Sequence, residues 1–193
     1  MSGKKDIFEI IHSGELYIPA QPELLAVQRA NMDKMHAFNA LPPSETEKRA
    51  RLCAEMFMEF GEGSFIEGPF YANFGGAHVK IGKDVYANSN LTLVDDTYIA
   101  IKDNTMIAPN VTLATAAHPL DPGLRREGYQ YNLPVEIGRN VWLGTGVIVL
   151  PGVKIGDNSV IGAGSVVTKD IPPNVLAMGV PCRVVKDISD QAD

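Results

Sequence analysis

The sequence predicts a mainly β solenoid that follows a helical lead, and three observations carry that reading. A six-residue period runs through 137–172, with an aliphatic residue opening each unit; helix-compatible segments almost vanish after about Gly68; and Gly, Asn and Asp recur among Val and Ile. In such a chain each short strand turns its aliphatic residue into a shared interior. Residues that tolerate left-handed backbone angles take the corners. One coil cannot bury its own face, so several coils stack.

The lead comes first. Lys4 to Ser13 is a short helix candidate that Gly14 ends, and Pro22 to Asn39 is a second, with Pro22 in its first turn and Leu24, Val27, Met35 and Phe38 on one face. Ser44-Glu45-Thr46-Glu47 reads as a capping box opening a third helix, whose Cys53, Met56, Phe57 and Phe60 share a face and which Gly61 stops. The repeats follow: Ile137-Gly138-Arg139-Asn140-Val141-Trp142, then units opened by Leu143, Val149, Ile155, Ile161 and Val167. Units opened by Ile101 and Ile107 share this phase, whereas Ile81-Gly82-Lys83-Asp84-Val85-Tyr86 is two residues out of register with Ile101, so a slip lies between them. Ala114 to Val135 holds no hexapeptide, and a long excursion from a rigid scaffold is usually functional. The chain from Pro173 onward departs from the period as well. The organisation expected is a helical segment over 1–62, a β-helix domain over 63–186 with its excursion at 114–135, and a tail at 187–193.

Composition narrows the function. With 193 residues, 45% of them hydrophobic, the chain suits one soluble domain with its own core. A net charge of −6 gives no support to nucleic-acid binding, which draws on a basic stripe. Cys53 and Cys182 are too few for a disulfide scaffold or a thiolate metal site and read as reduced thiols. Cys182 has no histidine near it in sequence and reads as a buried bystander. No signal-peptide core forms near Met1, and the longest apolar run, Val141 to Val153, is broken by glycines and a proline. A cytoplasmic protein without a membrane span is expected. Of the four histidines, His12 and His36 read as solvated, His78 as a surface residue, and His118 lies in the excursion. No paired histidines stand at metal-ligand spacing, so no metal is expected.

These residues taken in order resemble the sugar O-acetyltransferases of the hexapeptide-repeat superfamily, the galactoside and maltose acetyltransferases. The resemblance runs through Pro43-Ser44-Glu45 to Met56-Phe57, Tyr86-Ala87-Asn88, Asn90 to Asp96, Ile107-Ala108-Pro109-Asn110-Val111, His118-Pro119, Asn140 to Gly144 and Val167 to Pro172. It implies a left-handed parallel β-helix with three hexapeptides per coil, assembled as a homotrimer with active sites between subunits. The reaction implied moves an acetyl group from acetyl-CoA to a sugar hydroxyl.

The resemblance also assigns roles. It makes His118 the catalytic residue; by spacing alone His118 is a loop histidine before a proline. A neutral imidazole suits proton removal from a hydroxyl near pH 7. Asn88 and Asp96 match acceptor-binding positions, with Asn73 and Tyr86 as weaker matches, although Asn88 also fits a plain coil corner. Trp142, Thr145, Ala163, Thr168 and Lys169 fall along the acetyl-CoA groove, and Arg183 and Lys186 toward its phosphates. Lys169 and Lys186 fit solvated lysines equally well. A backbone amide near Gly144 or Thr145 is the candidate oxyanion donor. The chain departs from the galactoside enzymes at Pro19 and Gln28, which leaves glucosides and maltose as open as galactosides. The alternatives are a different acceptor, such as an amino sugar, and a non-catalytic β-helix binding module.

Overall fold

The structure is a computed structural model that describes residues 6–189. Among the described residues three helices come first: α1 (Ile7–Ile10), α2 (Pro22–Asn39) and α3 (Thr46–Met56). In α2 Leu24, Met35 and Phe38 are buried, whereas Val27 on the expected face is exposed. The first candidate helix is shorter than its sequence suggests, and its Lys4 and Lys5 lie outside the described residues. The capping box does not form. Pro42 to Glu45 instead closes a turn through Glu45 N–H to Pro42 C=O at 3.1 Å, Glu45 caps α3 without a side-chain bond, and its carboxylate pairs with Lys48 at 2.8 Å. Nor does the helix run to Gly61. It ends at Met56 because Met58 N–H turns to Val79 C=O and Glu59–Phe60 pairs with Lys80 and Ile81.

From Glu59 onward the chain winds through three parallel sheets. The first holds Glu59–Phe60, Val79–Ile81, Ile99–Ile101, Val135–Ile137 and Lys154–Ile155. The second holds Phe65–Ile66, Tyr86–Ala87, Met106–Ile107, Trp142–Leu143, Val160–Ile161 and Val175–Met178, and Arg183–Asp187 adds to its edge antiparallel. The third holds Phe70–Ala72, Leu91–Val94, Thr112–Ala114, Ile148–Val149 and Val166–Val167. The coil before Ile81 and the one formed by Val175–Met178 carry no clean hexapeptide, and neither was expected from the repeats.

The aliphatic residue that opens each unit faces inward. Ile101 stacks on Ile137 and Ile155, Ile107 on Leu143 and Ile161, and Leu113 on Val149 and Val167, each at most 2% exposed. Outward residues differ by sheet. The first sheet is charged, with Lys80–Glu59 and Lys154–Glu136 ion pairs, whereas the second presents a column of Tyr86, Met106 and Trp142.

The corners explain the Asn and Gly content. Among the described residues seven non-glycine residues have positive φ, and all are Asp84 or asparagines (90, 104, 110, 140, 158 and 174). Between the first and second sheets the asparagine amides form a ladder, Asn140 Nδ2 to Asn158 Oδ1 at 3.1 Å and Asn158 Nδ2 to Asn174 Oδ1 at 2.8 Å.

The slip in register has a definite place. Ile81 pairs with Ile101, and 101 − 81 = 20, whereas Ile137 pairs with Ile155, and 155 − 137 = 18. Along the chain Ile81, Ala87 and Leu93 stay six apart, so the two extra residues fall between Leu93 and Ile101, around Asp95-Asp96-Thr97. The coil before adds three, since 81 − 60 = 21, and the coil after carries the whole excursion, since 137 − 101 = 36. All three expansions lie at one edge, where the third sheet passes to the first.

Candidate active site

That edge gathers buried polar groups. Asp95 is fully buried and accepts from Phe74 N–H at 2.7 Å and Gly76 N–H at 3.0 Å, so it ties the 73–78 loop to the corner; burial pushes its carboxyl up. Asp96 faces the other way. Its Oδ1 accepts from Gln130 Nε2 at 2.9 Å and its Oδ2 from Asn73 Nδ2 at 2.8 Å. Gln130 Nε2 also reaches Tyr17 Oη at 2.8 Å and Asn132 Oδ1 at 3.0 Å, and Asn132 Nδ2 donates to Tyr17 Oη at 2.8 Å. Burial pushes the Tyr17 hydroxyl up to about 12, against the two amide donors that would lower it, and the Asp96 charge raises it further.

The excursion and the N-terminal arm supply these groups. Ala116–Ala117 pairs antiparallel with Tyr131–Asn132, so Gln130 and Asn132 point inward while Tyr131 does not. Tyr17 and Gln130 exchange both backbone hydrogen bonds at 2.9 Å, stitching the arm to the excursion. Nothing in the sequence singled out Tyr17, Gln130 or Asn132. The signal available was the alternation Gln130-Tyr131-Asn132, a period of two inside a stretch without repeats.

His118 sits on the same excursion, exposed. Its Nδ1 is 2.8 Å from the Tyr129 carbonyl, which only accepts, so Nδ1 carries a proton and the neutral form of the ring has its lone pair on Nε2. Between Ala117 and Tyr129 the short helix α4 (Pro122–Arg126) is capped by Asp121, whose carboxylate accepts from Leu124 N–H at 2.8 Å.

The remaining histidines correct the sequence expectation in part. His36 is exposed, but His12 is half-buried and stacks on Tyr98 with ring centres 4.1 Å apart, its Nδ1 2.8 Å from Thr97 Oγ1. Burial, and then the nearby His78, lower its pKa to about 4. His78 is half-buried too, packed on Phe74 and donating from Nδ1 to the Asp95 carbonyl at 2.7 Å. The two extra residues of the slip bring Thr97 and Tyr98 against the arm, and neither periodicity nor composition reports such a contact. Both cysteines are buried, which raises their thiols, Cys53 to about 12.

The expected site residues therefore divide among separate places. Asn73, Asp96 and His118 stand on the expanded edge. Asn88, Thr145 and Ala163 lie on a different edge, between the second and third sheets, where Asn88 Oδ1 accepts from Ser89 N–H at 2.8 Å and Gly164 N–H bonds Thr145 C=O at 2.8 Å. Tyr86 and Trp142 belong to the outer face of the second sheet, about half exposed. Thr168 and Lys169 are exposed at the third-to-first corner of a later coil, and Arg183 and Lys186 are exposed on the antiparallel edge strand. One chain does not bring the two edges together.

The second-to-third edge has a particular surface. Its left-handed corner residue is Asn90, then Asn110, then Gly146 and Gly164, the glycines both at φ +69°. Asparagine serves this backbone elsewhere in the molecule, so glycine is not needed for conformation alone. A Cβ at Gly146 or Gly164 would meet nothing within 4 Å, so the edge is bare at these two coils. Bareness there suits an elongated ligand lying against backbone amides. Among the described residues no three His, Cys, Asp or Glu side chains stand close enough to hold a metal ion, and no helix is long and apolar enough to cross a membrane.

Comparison with known proteins supplies the class, an acyltransferase of the hexapeptide-repeat kind. Residues 134–169 match the family described as bacterial transferase hexapeptide (six repeats), and residues 11–61 match the maltose acetyltransferase hexapeptide capping motif. The galactoside O-acetyltransferase of Lactococcus lactis subsp. lactis (strain IL1403) is 52% identical over 97% of this chain and 90% of its own length. Among solved structures, a galactoside acetyltransferase in complex with coenzyme A is 49% identical with a TM-score of 0.93, covering 97% of this chain and 93% of that one. A maltose O-acetyltransferase from Clostridium difficile 630 is 42% identical with a TM-score of 0.92, covering 94% and 97%. The chain belongs to the family of galactoside and maltose O-acetyltransferases, and its fold is their left-handed parallel β-helix.

Proposed function

We propose that this protein transfers an acetyl group from acetyl-CoA to a hydroxyl of a sugar, with His118 as general base and with no acetyl-enzyme intermediate. The observation that carries the reading is the Tyr129 carbonyl, which accepts from His118 Nδ1 and so assigns the basic lone pair of the neutral ring to Nε2. The acceptor is bound by Asp96, Asn73, Asn88 and Tyr86. Asp96 suits this role because two amide donors occupy only part of its acceptor capacity, leaving lone pairs for sugar hydroxyls. His118 Nε2 takes the proton of the attacking hydroxyl as its oxygen bonds to the acetyl carbon; the carbon–sulfur bond of the thioester then breaks, and the sulfur leaves as the thiol with the proton returned from His118.

The donor, when bound, supplies an acetyl group activated as a thioester. The bare edge at Gly146 and Gly164, with Thr145 and Ala163 beside it, fits a narrow pantetheine arm. Trp142 lines its flank, the amide near Gly144 or Thr145 faces the developing oxyanion, and Thr168, Lys169, Arg183 and Lys186 meet the phosphate end. Because the acceptor edge and the donor edge stand apart on one chain, the complete site forms between subunits of a closed homotrimer. The helical segment 1–62 then serves as the arm, 63–186 as the catalytic β-helix and 187–193 as a tail, in a cytoplasmic enzyme.

Replacement of His118 by alanine tests the reading. Loss of a general base typically removes 10²–10⁴-fold, so turnover falls at least ~100-fold while acetyl-CoA binding is retained. A variant keeping most of its rate overturns the assignment. A panel of glucosides, maltose, galactosides and amino sugars, with the acetylated position found by NMR, is expected to show a primary hydroxyl of a pyranoside as the acceptor; acetylation of amines alone would refute O-acetyl transfer.

A further inference from the structure

Asp96 is a buried carboxylate, 7% exposed, with no cation paired to it among the described residues; neutral amides alone hold it. A buried charge is tolerated only when its hydrogen bonds are made, so those amides decide where its remaining lone pairs point. Asn73 is exposed and ties down one oxygen from the surface. Gln130 is 6% exposed and ties down the other from within.

Gln130 does more than fill a bond. Its Nε2 stands within 3.0 Å of three acceptors, Asp96 Oδ1, Tyr17 Oη and Asn132 Oδ1, with two protons to give them. Its backbone is paired with Tyr17 in both directions. Asn132 closes the ring, donating from Nδ2 to Tyr17 Oη and, at 2.9 Å, to the Ile11 carbonyl of the arm. The Tyr17 oxygen accepts from both amides. Arm, excursion and acidic corner thus meet at one side-chain amide.

We propose that Gln130 is a positioning residue for acceptor specificity, aiming the Asp96 carboxylate at the acceptor and coupling that aim to Tyr17 of the N-terminal arm. The inference rests on the reading of Asp96 as an acceptor contact. A methionine at 130 keeps much of the volume of glutamine but donates nothing, so Asp96 Oδ1 loses its inner partner. A phenylalanine at 17 leaves the Gln130–Asp96 bond and the backbone pairing in place and removes only the side-chain link through the Tyr17 hydroxyl.

The test uses the full-length enzyme and steady-state kinetics with acetyl-CoA and two acceptors, a methyl glucoside and a methyl galactoside. Gln130→Met is expected to raise acceptor KM about tenfold, the size expected for one lost bond to a charged group. The acetyl-CoA KM stays within twofold, and the glucoside-to-galactoside ratio of kcat/KM changes at least about fivefold. Tyr17→Phe moves that ratio in the same direction with a smaller change in KM, and decides the question if the Met variant fails to fold. An acceptor KM within twofold of the parent overturns the proposal, as does a uniform fall in every parameter that tracks lost thermal stability. Asp96→Asn is assayed in parallel. If it leaves acceptor KM unchanged, the acceptor reading itself fails; if it raises KM while Gln130→Met does not, only the role of Gln130 fails.

Discussion

Placing a methyl group at Gly164 separates the donor groove from the scaffold that carries it. Gly164 has φ +69°, and a Cβ there meets nothing within 4 Å, so Gly164→Ala strains the backbone without a clash in the chain itself. Left-handed geometry disfavours alanine by roughly 1–2 kcal/mol, partly offset by about 0.4–1 kcal/mol from the stiffer unfolded chain. The net loss is about 1 kcal/mol, which for a chain near this size lowers Tm by ~2–4 °C. Asn158→Ala is the control. It lies at the first-to-second edge with φ +61° and loses two exposed amide bonds of 3.1 and 2.8 Å, so its stability falls by a similar ~1–2 kcal/mol. The two variants part company in kinetics. A methyl intruding on a filled groove costs about 1–3 kcal/mol, so Gly164→Ala raises acetyl-CoA KM about tenfold, whereas Asn158→Ala leaves it unchanged. Urea unfolding and thiol release during turnover read the two effects separately. Equal acetyl-CoA KM values in both variants would refute the donor groove at this edge.

Acid should loosen the arm. The His12 pKa, about 4 when folded and 6.5 when unfolded, means that the unfolded chain binds the proton first, so stability is full above pH 6.5 and falls as pH drops from 6.5 toward 4. The full difference corresponds to roughly 3 kcal/mol, and with half the ring in solvent about 1–2 kcal/mol is expected; denaturation midpoints of the protein and His12→Asn across pH 4.5–7 check it, and identical pH slopes in the two would exclude His12 as the cause. Sedimentation at assay concentration should give three chains, and a fully active monomer would refute a site shared between subunits.

The coils were legible because the aliphatic column is strictly local: Ile137, Leu143 and Val149 announce three sheets from one stretch of sequence, and all three are fully buried. The first coil was not, because Phe60 continues the helical spacing of Cys53, Met56 and Phe57 until pairing with Ile81 claims it. At Ser44 the competitor was local: a turn from Pro42 to Glu45 claims the same backbone and displaces the box. His118 stood out by its place in the excursion. The groups around Asp96 did not, since Tyr17, Asp96 and Gln130 are far apart along the chain and meet only through hydrogen bonds that no periodicity encodes.

Successive coils advance by 21, 20, 36, 18 and 16 residues, yet the inward columns stay aligned throughout. Within a flat strand a single added residue would turn every later side chain to the wrong face. At a solenoid vertex the surplus spills outward, and the next strand starts afresh in register. Length at this vertex is therefore a free variable: odd, even or eighteen extra residues are absorbed without renegotiating the core. A lineage can lengthen, trim or rewrite the segments that meet the acceptor while the chassis beneath them stays fixed. An engineer seeking a new acceptor has the same freedom, with insertions between Leu113 and Val135 as the place to begin.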